Sequence, residues 1–413
     1  MTHQILSAAA GHPVTAGDIA VVEVDRIMAH DGSTPVVART LEKHGLHQLA
    51  AADRAVVVFD HYYPATTQAE ADLQSLAREF AARYGIPVHA GRGISHQLLP
   101  ELGLVAPGRV LVGGDSHTCT EGAFGSFATG LGATDVAAVL ATGRLWIEVP
   151  EVLTVRLGGR LRDGVSFQDA VLHIVGLVGV RGALGRALEF VGAAVSDLSI
   201  ADRMKLCNHA VEMGAVAGLI GVDGTSERWL AERGADLGAM GLAAHDPVGA
   251  TADLHVDLGT VEQMLALPAK PDNVVPLAGA RVPHVDQVFI GSCAGGRLED
   301  LHQAARELDG AAVAPGMRLL VAPASAQVQE LAMADGTLGT LLRAGAVLLP
   351  PGCGACLGRV GTLRDGDVAV TTQNRNFVGR AGSSRSELYL ASPAVAARAA
   401  RDGRISDGEG DGR

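Results

Sequence analysis

The chain has 413 residues, a formal net charge of −12, and 48% hydrophobic against 19% charged residues. That balance belongs to a folded globular protein and excludes a disordered one, while the acidity leaves no electrostatic footprint for nucleic acid or an acidic membrane surface. At ~150 residues per domain the length allows two to three domains, and 53 glycines without a Gly-X-Y period point to tight turns and close backbone approaches.

No basic residue precedes Arg26, so no secretory signal is read, and no apolar run of about 18 residues suggests a membrane span. Five cysteines, an odd number, argue against a disulfide framework and for a reducing, cytoplasmic setting with free thiols or metal ligands.

In chain order, Ala55–Phe59 reads as a buried strand followed at once by Asp60-His61. A helix is predicted over 67–84, with Leu73, Leu76, Phe80 and Tyr84 on one face. The strand at 109–114 runs into Asp115-Ser116-His117-Thr118, and a helix is predicted over 132–145. Pro268 to Val282, rich in Pro, Gly and Ala, reads as a linker. The strand at 287–291 leads into Ser292-Cys293, and a helix over 298–308 carries Leu298, Leu301, Ala305 and Leu308. The strand at 346–349 precedes Pro350-Pro351-Gly352-Cys353-Gly354-Ala355-Cys356, and the one at 367–370 precedes Thr371 to Phe377. Strands alternating with helices predict an α/β fold with largely parallel sheets. Reactive side chains beginning where five strands end predict a shared cleft beyond the carboxyl ends of those strands.

Cys353 and Cys356 form a Cys-x-x-Cys pair, with Cys293 after its own strand. A structural zinc site usually has four ligands and no second pair exists; a redox pair would not need Cys293. Three thiolates on an iron–sulfur cubane would leave one iron open, as Lewis-acid catalysis requires. Cys119 and Cys207 read as small buried hydrophobes.

These residues carry a resemblance. Gly291-Ser292-Cys293 with Arg297-Leu298-Glu299-Asp300, and Pro351-Gly352-Cys353-Gly354-Ala355-Cys356, resemble the aconitase superfamily, more narrowly the large subunits of 3-isopropylmalate dehydratases and homoaconitases. Phe59-Asp60-His61, Ile94-Ser95-His96, Gly114-Asp115-Ser116-His117, Leu188-Glu189-Phe190, Lys205-Leu206-Cys207-Asn208 and Asn374-Arg375-Asn376-Phe377 continue it.

The resemblance implies three α/β domains around a [4Fe-4S] cluster with one open iron, expected at 1–150, 151–280 and 281–405, with 406–413 a polar tail. A mobile fourth domain is expected on a separate small subunit, giving a heterodimer or heterotetramer. The implied reaction isomerises a hydroxy di- or tricarboxylate by removing and re-adding water, with an alkyl-substituted malate as substrate and a homoaconitase-like one as the alternative. A cluster-sensing RNA-binding regulator is a rival class, disfavoured by the −12 charge.

By the same resemblance Cys293, Cys353 and Cys356 hold the cluster with Asn374 beside it. His61, paired with Asp60, is the acid; His96 pairs with Asp115 and His117 with Glu189; Ser116, Arg375 and Arg380 bind substrate. Ser383-Ser384-Arg385 matches a motif of the mobile domain but lies in a different frame, and reads as chance. Ala294-Gly295-Gly296 stand where the family usually carries Thr-Asn-Ser or Thr-Asn-Gly. Val378 stands where many relatives have Glu, and Arg186 lies in a glycine-rich stretch that often lacks charge. The ligands and the acid are spared, so an active, divergent paralogue is expected.

Overall fold

The computed structural model describes residues 1–239, 241 and 252–405, so the tail expected over 406–413 lies outside the described residues. The chain divides into two compact units. The first comprises Met1–Gly158 and Arg181–Val256; the second comprises Gly159–Val180 and the chain from Asp257 onward.

The strands of the first unit, in chain order, are β1 (Ile19–Glu23), β2 (Arg26–His30), β3 (Ala55–Phe59), β4 (Val88–Ala90), β5 (Val110–Gly113), β6 (Phe127–Gly130), β7 (Arg144–Glu148), β8 (Val152–Gly158), β9 (Ala187–Val191), β10 (Ala217–Ile220) and β11 (Ala252–Asp257). Its main sheet has the order β4-β3-β2-β5-β6 and is parallel throughout. Every residue of β3, Ala-Val-Val-Val-Phe, is buried, as expected of a parallel strand covered on both faces. From β2 the chain builds outward to β4 on one side and returns through β5 to β6 on the other. The gap between β2 and β5 is therefore a topological switch point, where ligands bind in open α/β sheets. A second sheet, β10-β9-β8-β11, lies in the same unit; its Ala187, Ala217 and Leu219 join the hydrophobic core of the first.

The helix Gln68–Tyr84 begins one residue later than predicted because Thr67 caps it, in a reciprocal capping box with Glu70. It buries Gln74, Ala77, Phe80 and Ala81, whereas Leu76 is 39% exposed. The buried face is thus rotated from the predicted one: small alanines let the helix sit close to the sheet. The helix predicted over 132–145 spans Ala133–Thr142; Gly143 in the left-handed conformation ends it, and Arg144 onward forms β7.

The second unit holds β12 (Met264–Ala266), β13 (Val274–Pro276), β14 (Gln287–Ile290), β15 (Arg318–Val321), β16 (Val347–Leu348), β17 (Val368–Thr371) and β18 (Glu387–Ala391), in the order β13-β12-β18-β17-β14-β15-β16. The strands from β18 to β16 are parallel and β12 and β13 are antiparallel. The segment read as a linker therefore supplies β13 to this sheet. The helix Leu298–Leu308 matches its predicted span and buries Leu301, Ala305 and Leu308. Here too the order reverses, between β14 and β17, making a second switch point. No helix among the described residues is long and apolar enough to cross a membrane.

Candidate active site

In the first unit the carboxyl ends of β2, β3 and β5 bring a network of imidazoles and carboxylates together. His61 donates Nδ1–H to Asp60 Oδ1 at 2.7 Å, and its Nε2 lies 3.2 Å from Asp115 Oδ2. Burial, the largest influence, pushes the imidazole down. The Asp60 charge, the hydrogen bonds to Asp115 and Asp60 and the Asp115 charge outweigh it, so His61 sits well above its ordinary range and stays protonated at neutral pH. Asp60 is fully buried, and its Oδ2 accepts from the Ser95 backbone N–H at 2.7 Å, fixing it against the helix Ser95–Glu101.

Asp115 gathers three histidines. Its Oδ1 lies 2.6 Å from His96 Nε2 and accepts from the His117 backbone N–H at 2.8 Å. Burial pushes its carboxyl up, but the His96 charge and the bonds from His117, His61 and His96 prevail, holding it well below the usual carboxylate range. Ser116, beside it, is half-buried at the start of a 3₁₀ helix, Ser116–Phe124.

The predicted pairing of His117 with Glu189 is not formed. His117 Nε2 lies 3.0 Å from Glu212 Oε1. Glu189 lies in the middle of β9, where its buried carboxylate accepts from the Thr2 backbone N–H and hydroxyl, both at 2.8 Å, and pairs with the Met1 amino group at 3.2 Å. Strand geometry explains this: a mid-strand side chain points into a sheet face, whereas Glu212 stands in the turn after the helix Ile200–Asn208.

Two residues beside His61 escaped the sequence reading. His30 stacks on it with ring centroids 3.8 Å apart; burial first, then the His61 charge, push it down to about 4, so it stays neutral. Asp31 accepts the backbone N–H groups of His61 and Tyr62 at 3.1 and 2.8 Å, and burial followed by the Asp60 charge raises it to about 6. The signal was available: β2 also ends directly in His-Asp. Potential ligand atoms of His30, Asp31, Asp60 and His61 lie within 4.8 Å of one another, but a cation there would have to displace the His61 proton.

In the second unit Cys293 follows β14, Cys353 and Cys356 follow β16, and Asn374, Arg375 and Arg380 follow β17. The three thiols are free of disulfides. Cys293 Sγ lies 3.7 Å from Asn374 Oδ1. Burial, then the proximity of Cys293, push the Cys356 thiol up to about 12, partly opposed by the Arg380 charge. Arg375 and Arg380 are half-buried, and Arg380 Nε is buried without a hydrogen-bond partner among the described residues.

The backbone around Cys293 accounts for glycine at 295 and 296. Thr372 Oγ1 accepts from the Gly291 N–H at 2.9 Å and Ser292 Oγ accepts from the Ala294 N–H at 3.0 Å. A Cβ on Gly295 would stand 2.3 Å from Thr372 Cβ, and one on Gly296 2.8 Å from the Ala322 carbonyl. Both positions are too close to their neighbours for a side chain. Ser383 and Arg385 are both engaged with Asp365 in an exposed turn, in keeping with the reading of that motif as chance. Val378 is 65% exposed, and Arg186 pairs with Glu151 at 3.2 Å. Cys119 and Cys207 are buried.

The aconitase family model (aconitate hydratase) matches residues 3–283 and 279–403. This chain belongs to the aconitase family. Family membership makes it a hydro-lyase and implies an iron–sulfur cluster. The chain is 44% identical over 411 residues to the 3-isopropylmalate dehydratase large subunit 1 of Methanopyrus kandleri, with 98% of each chain covered. It is 41% identical over 418 residues to the methanogen homoaconitase large subunit of Methanocaldococcus jannaschii, covering 98% of this chain and 99% of that one. Its fold is similar to that of Thermococcus kodakaraensis aconitase X, with a TM-score of 0.51 at 12% identity over 98% of this chain and 92% of the other. Three thiols not joined in disulfides, soft donors suited to iron–sulfur ligation, fit the cluster that the family implies.

Proposed function

We propose that the chain is the large, cluster-bearing subunit of a 3-isopropylmalate dehydratase-type hydro-lyase, isomerising an alkyl-substituted malate by dehydration and rehydration. The observation that carries this reading is His61, a buried imidazole kept protonated between two carboxylates. Hydroxide is a poor leaving group, and an imidazolium held ready can give it a proton. A [4Fe-4S] cluster held by Cys293, Cys353 and Cys356, with one iron open, would supply Lewis-acid activation of the hydroxyl and carboxylate.

The chain's own residues do the rest. Asp60 and Asp115 keep His61 charged and fix its plane. His96 and His117 hold Asp115 ionised, and Glu212 orients His117. Arg375 and Arg380 grip a substrate carboxylate, for which paired guanidinium N–H donors are suited. Ser116 is assigned to substrate binding and Asn374 to the cluster's surroundings. Glu189, tied to the N-terminal residues, is assigned no chemical step. The relatives' description as large subunits supports a small subunit as partner, completing the pocket and supplying the base. Relatives described as homoaconitases stand at nearly the same identity, which favours a longer tricarboxylate as the second reading.

The test is reconstitution. The cluster-loaded chain alone should not dehydrate 2-isopropylmalate or homocitrate, and adding a small subunit of the family should start turnover of the alkylmalate. Full activity of the isolated chain would overturn the partner assignment and return Ser383 or Ser384 as a candidate base.

A further inference from the structure

At the opposite edge of the main sheet of the first unit, where β2, β5 and β6 begin, lies a cavity of about 260 Å³. Arg26 opens β2, Arg109 precedes β5 and Ser126 precedes β6; all three line it. Arg26 and His30 are the two ends of one five-residue strand, so at ~3.3 Å per residue they lie about 13 Å apart. The cavity is thus separate from the imidazole–carboxylate network.

The two arginines differ sharply. Arg109 is neutralised: it reaches Asp25 Oδ1 at 3.3 Å and Asp236 Oδ2 at 2.7 Å. The same carboxylates have other donors, the Val110 backbone N–H on Asp25 and the Gly238 N–H on Asp236. The Arg26 side chain has no hydrogen bond or ion pair among the described residues, and its Nε is fully buried without a partner. Burial pushes its pKa down, against the charges of Asp25 and Asp53. A half-buried guanidinium facing a cavity without a counter-ion in contact is unusual, because such a group is normally paired. The remaining wall includes apolar Leu104, Ala106 and Leu111.

We propose that this cavity is a second ligand site, binding a small aliphatic monocarboxylate with its carboxylate on Arg26 and its hydrocarbon end against Leu104, Ala106 and Leu111. Charge sets the valence. Two carboxylates and two guanidiniums line the cavity; one guanidinium is spoken for by both carboxylates and the other is open. The four side chains sum to zero, so a monocarboxylate adds one negative charge beside Asp25 and Asp236 where a dianion would add two, and the single charge is the one the open guanidinium can match. The planar fork of arginine suits a carboxylate, and a volume of about 260 Å³ accommodates a short branched chain.

The probe is isobutyrate, with isobutyramide as its uncharged isostere and inorganic phosphate as a bare anion, titrated calorimetrically into the full chain. Isobutyrate should bind saturably, and at least tenfold more tightly than either comparison. Arg26→Met keeps an apolar stem and should abolish binding. Ala106→Leu, which fills the cavity without touching a charge, should weaken it by tenfold or more. Arg380→Ala should leave the affinity unchanged. Circular dichroism confirms that each variant is folded. Isobutyramide binding equally well, phosphate binding better, retention by both cavity variants, or loss in Arg380→Ala alone would each overturn the proposal. So would the absence of a saturable heat.

Discussion

Replacing Asp60 with Asn removes the carboxylate that does most to keep His61 charged, at nearly constant volume. The Asn carbonyl can still accept the Ser95 N–H, now received by Asp60 at 2.7 Å. Its amide then faces His61 Nδ1 as a donor, which favours the neutral ring with Nε2–H toward Asp115 and so lowers the His61 pKa without abolishing the protonated form. General acid catalysis is typically worth ~100- to 10,000-fold, or about 2.7–5.4 kcal/mol at ~1.36 kcal/mol per decade. His61→Ala should lose that whole range in kcat. Asp60→Asn should lose less, because Asp115 remains 3.2 Å from Nε2. The pH dependence carries the sign. The acid works only while protonated, so wild-type kcat falls as pH rises through the raised His61 pKa, and in Asp60→Asn that alkaline limb moves to lower pH. The same pair contributes to stability: the His61 contribution is fully present below its unfolded pKa and is lost as pH rises through its folded pKa. Breaking a buried pair costs about 3–5 kcal/mol, so the variant should also melt earlier. The assay is kcat against pH for the cluster-loaded complex with matched iron content. An unchanged alkaline limb in Asp60→Asn, or near-normal kcat in His61→Ala, would refute the assignment and leave His96 or His117 as the next candidate.

Glu212→Gln should lower kcat without changing iron content, since it loosens His117, whereas Glu189→Gln should lower the melting temperature and spare kcat at permissive temperature; steady-state kinetics beside calorimetry separates the two. Arg380→Ala should lose a charge-assisted grip of about 1.5–3 kcal/mol, seen mainly as a raised KM if ground and transition states are held alike. Gly295→Ala should destabilise the Cys293 turn, because the added Cβ would stand 2.3 Å from Thr372 Cβ; faster loss of visible absorbance in air would register it.

The α/β architecture was legible because continuous Val/Ile/Leu runs ended abruptly in polar residues, as β3 ends in Asp60-His61. Pairing between distant segments was less so. Glu189 sits in a matching motif, yet its mid-strand position turns it toward Thr2, while Glu212 lies in a turn with no apolar period to mark it. His30 and Asp31 also stand at the end of a strand, but their place beside His61 depends on the parallel pairing of β2 with β3, which the local sequence does not specify. The burial of the helix at 68–84 was misjudged for a different reason: Ala77 and Ala81 are buried by close approach, which periodicity of large side chains does not reveal. Pro268 to Val282 looked like a linker, but Val274–Pro276 is an edge strand, where a proline costs little.

The proposed dehydration depends on the cluster that Cys293, Cys353 and Cys356 would hold. The most direct measurement follows ultraviolet absorbance of the unsaturated diacid as the cluster-loaded chain, joined to its small subunit, acts on 2-isopropylmalate. Iron and sulfide are assayed in the same samples, beside Cys353→Ser. Turnover in the wild type, with activity, iron and sulfide lost together in the variant, is the predicted result. A variant that keeps its full iron and sulfide and still forms the alkene would contradict it.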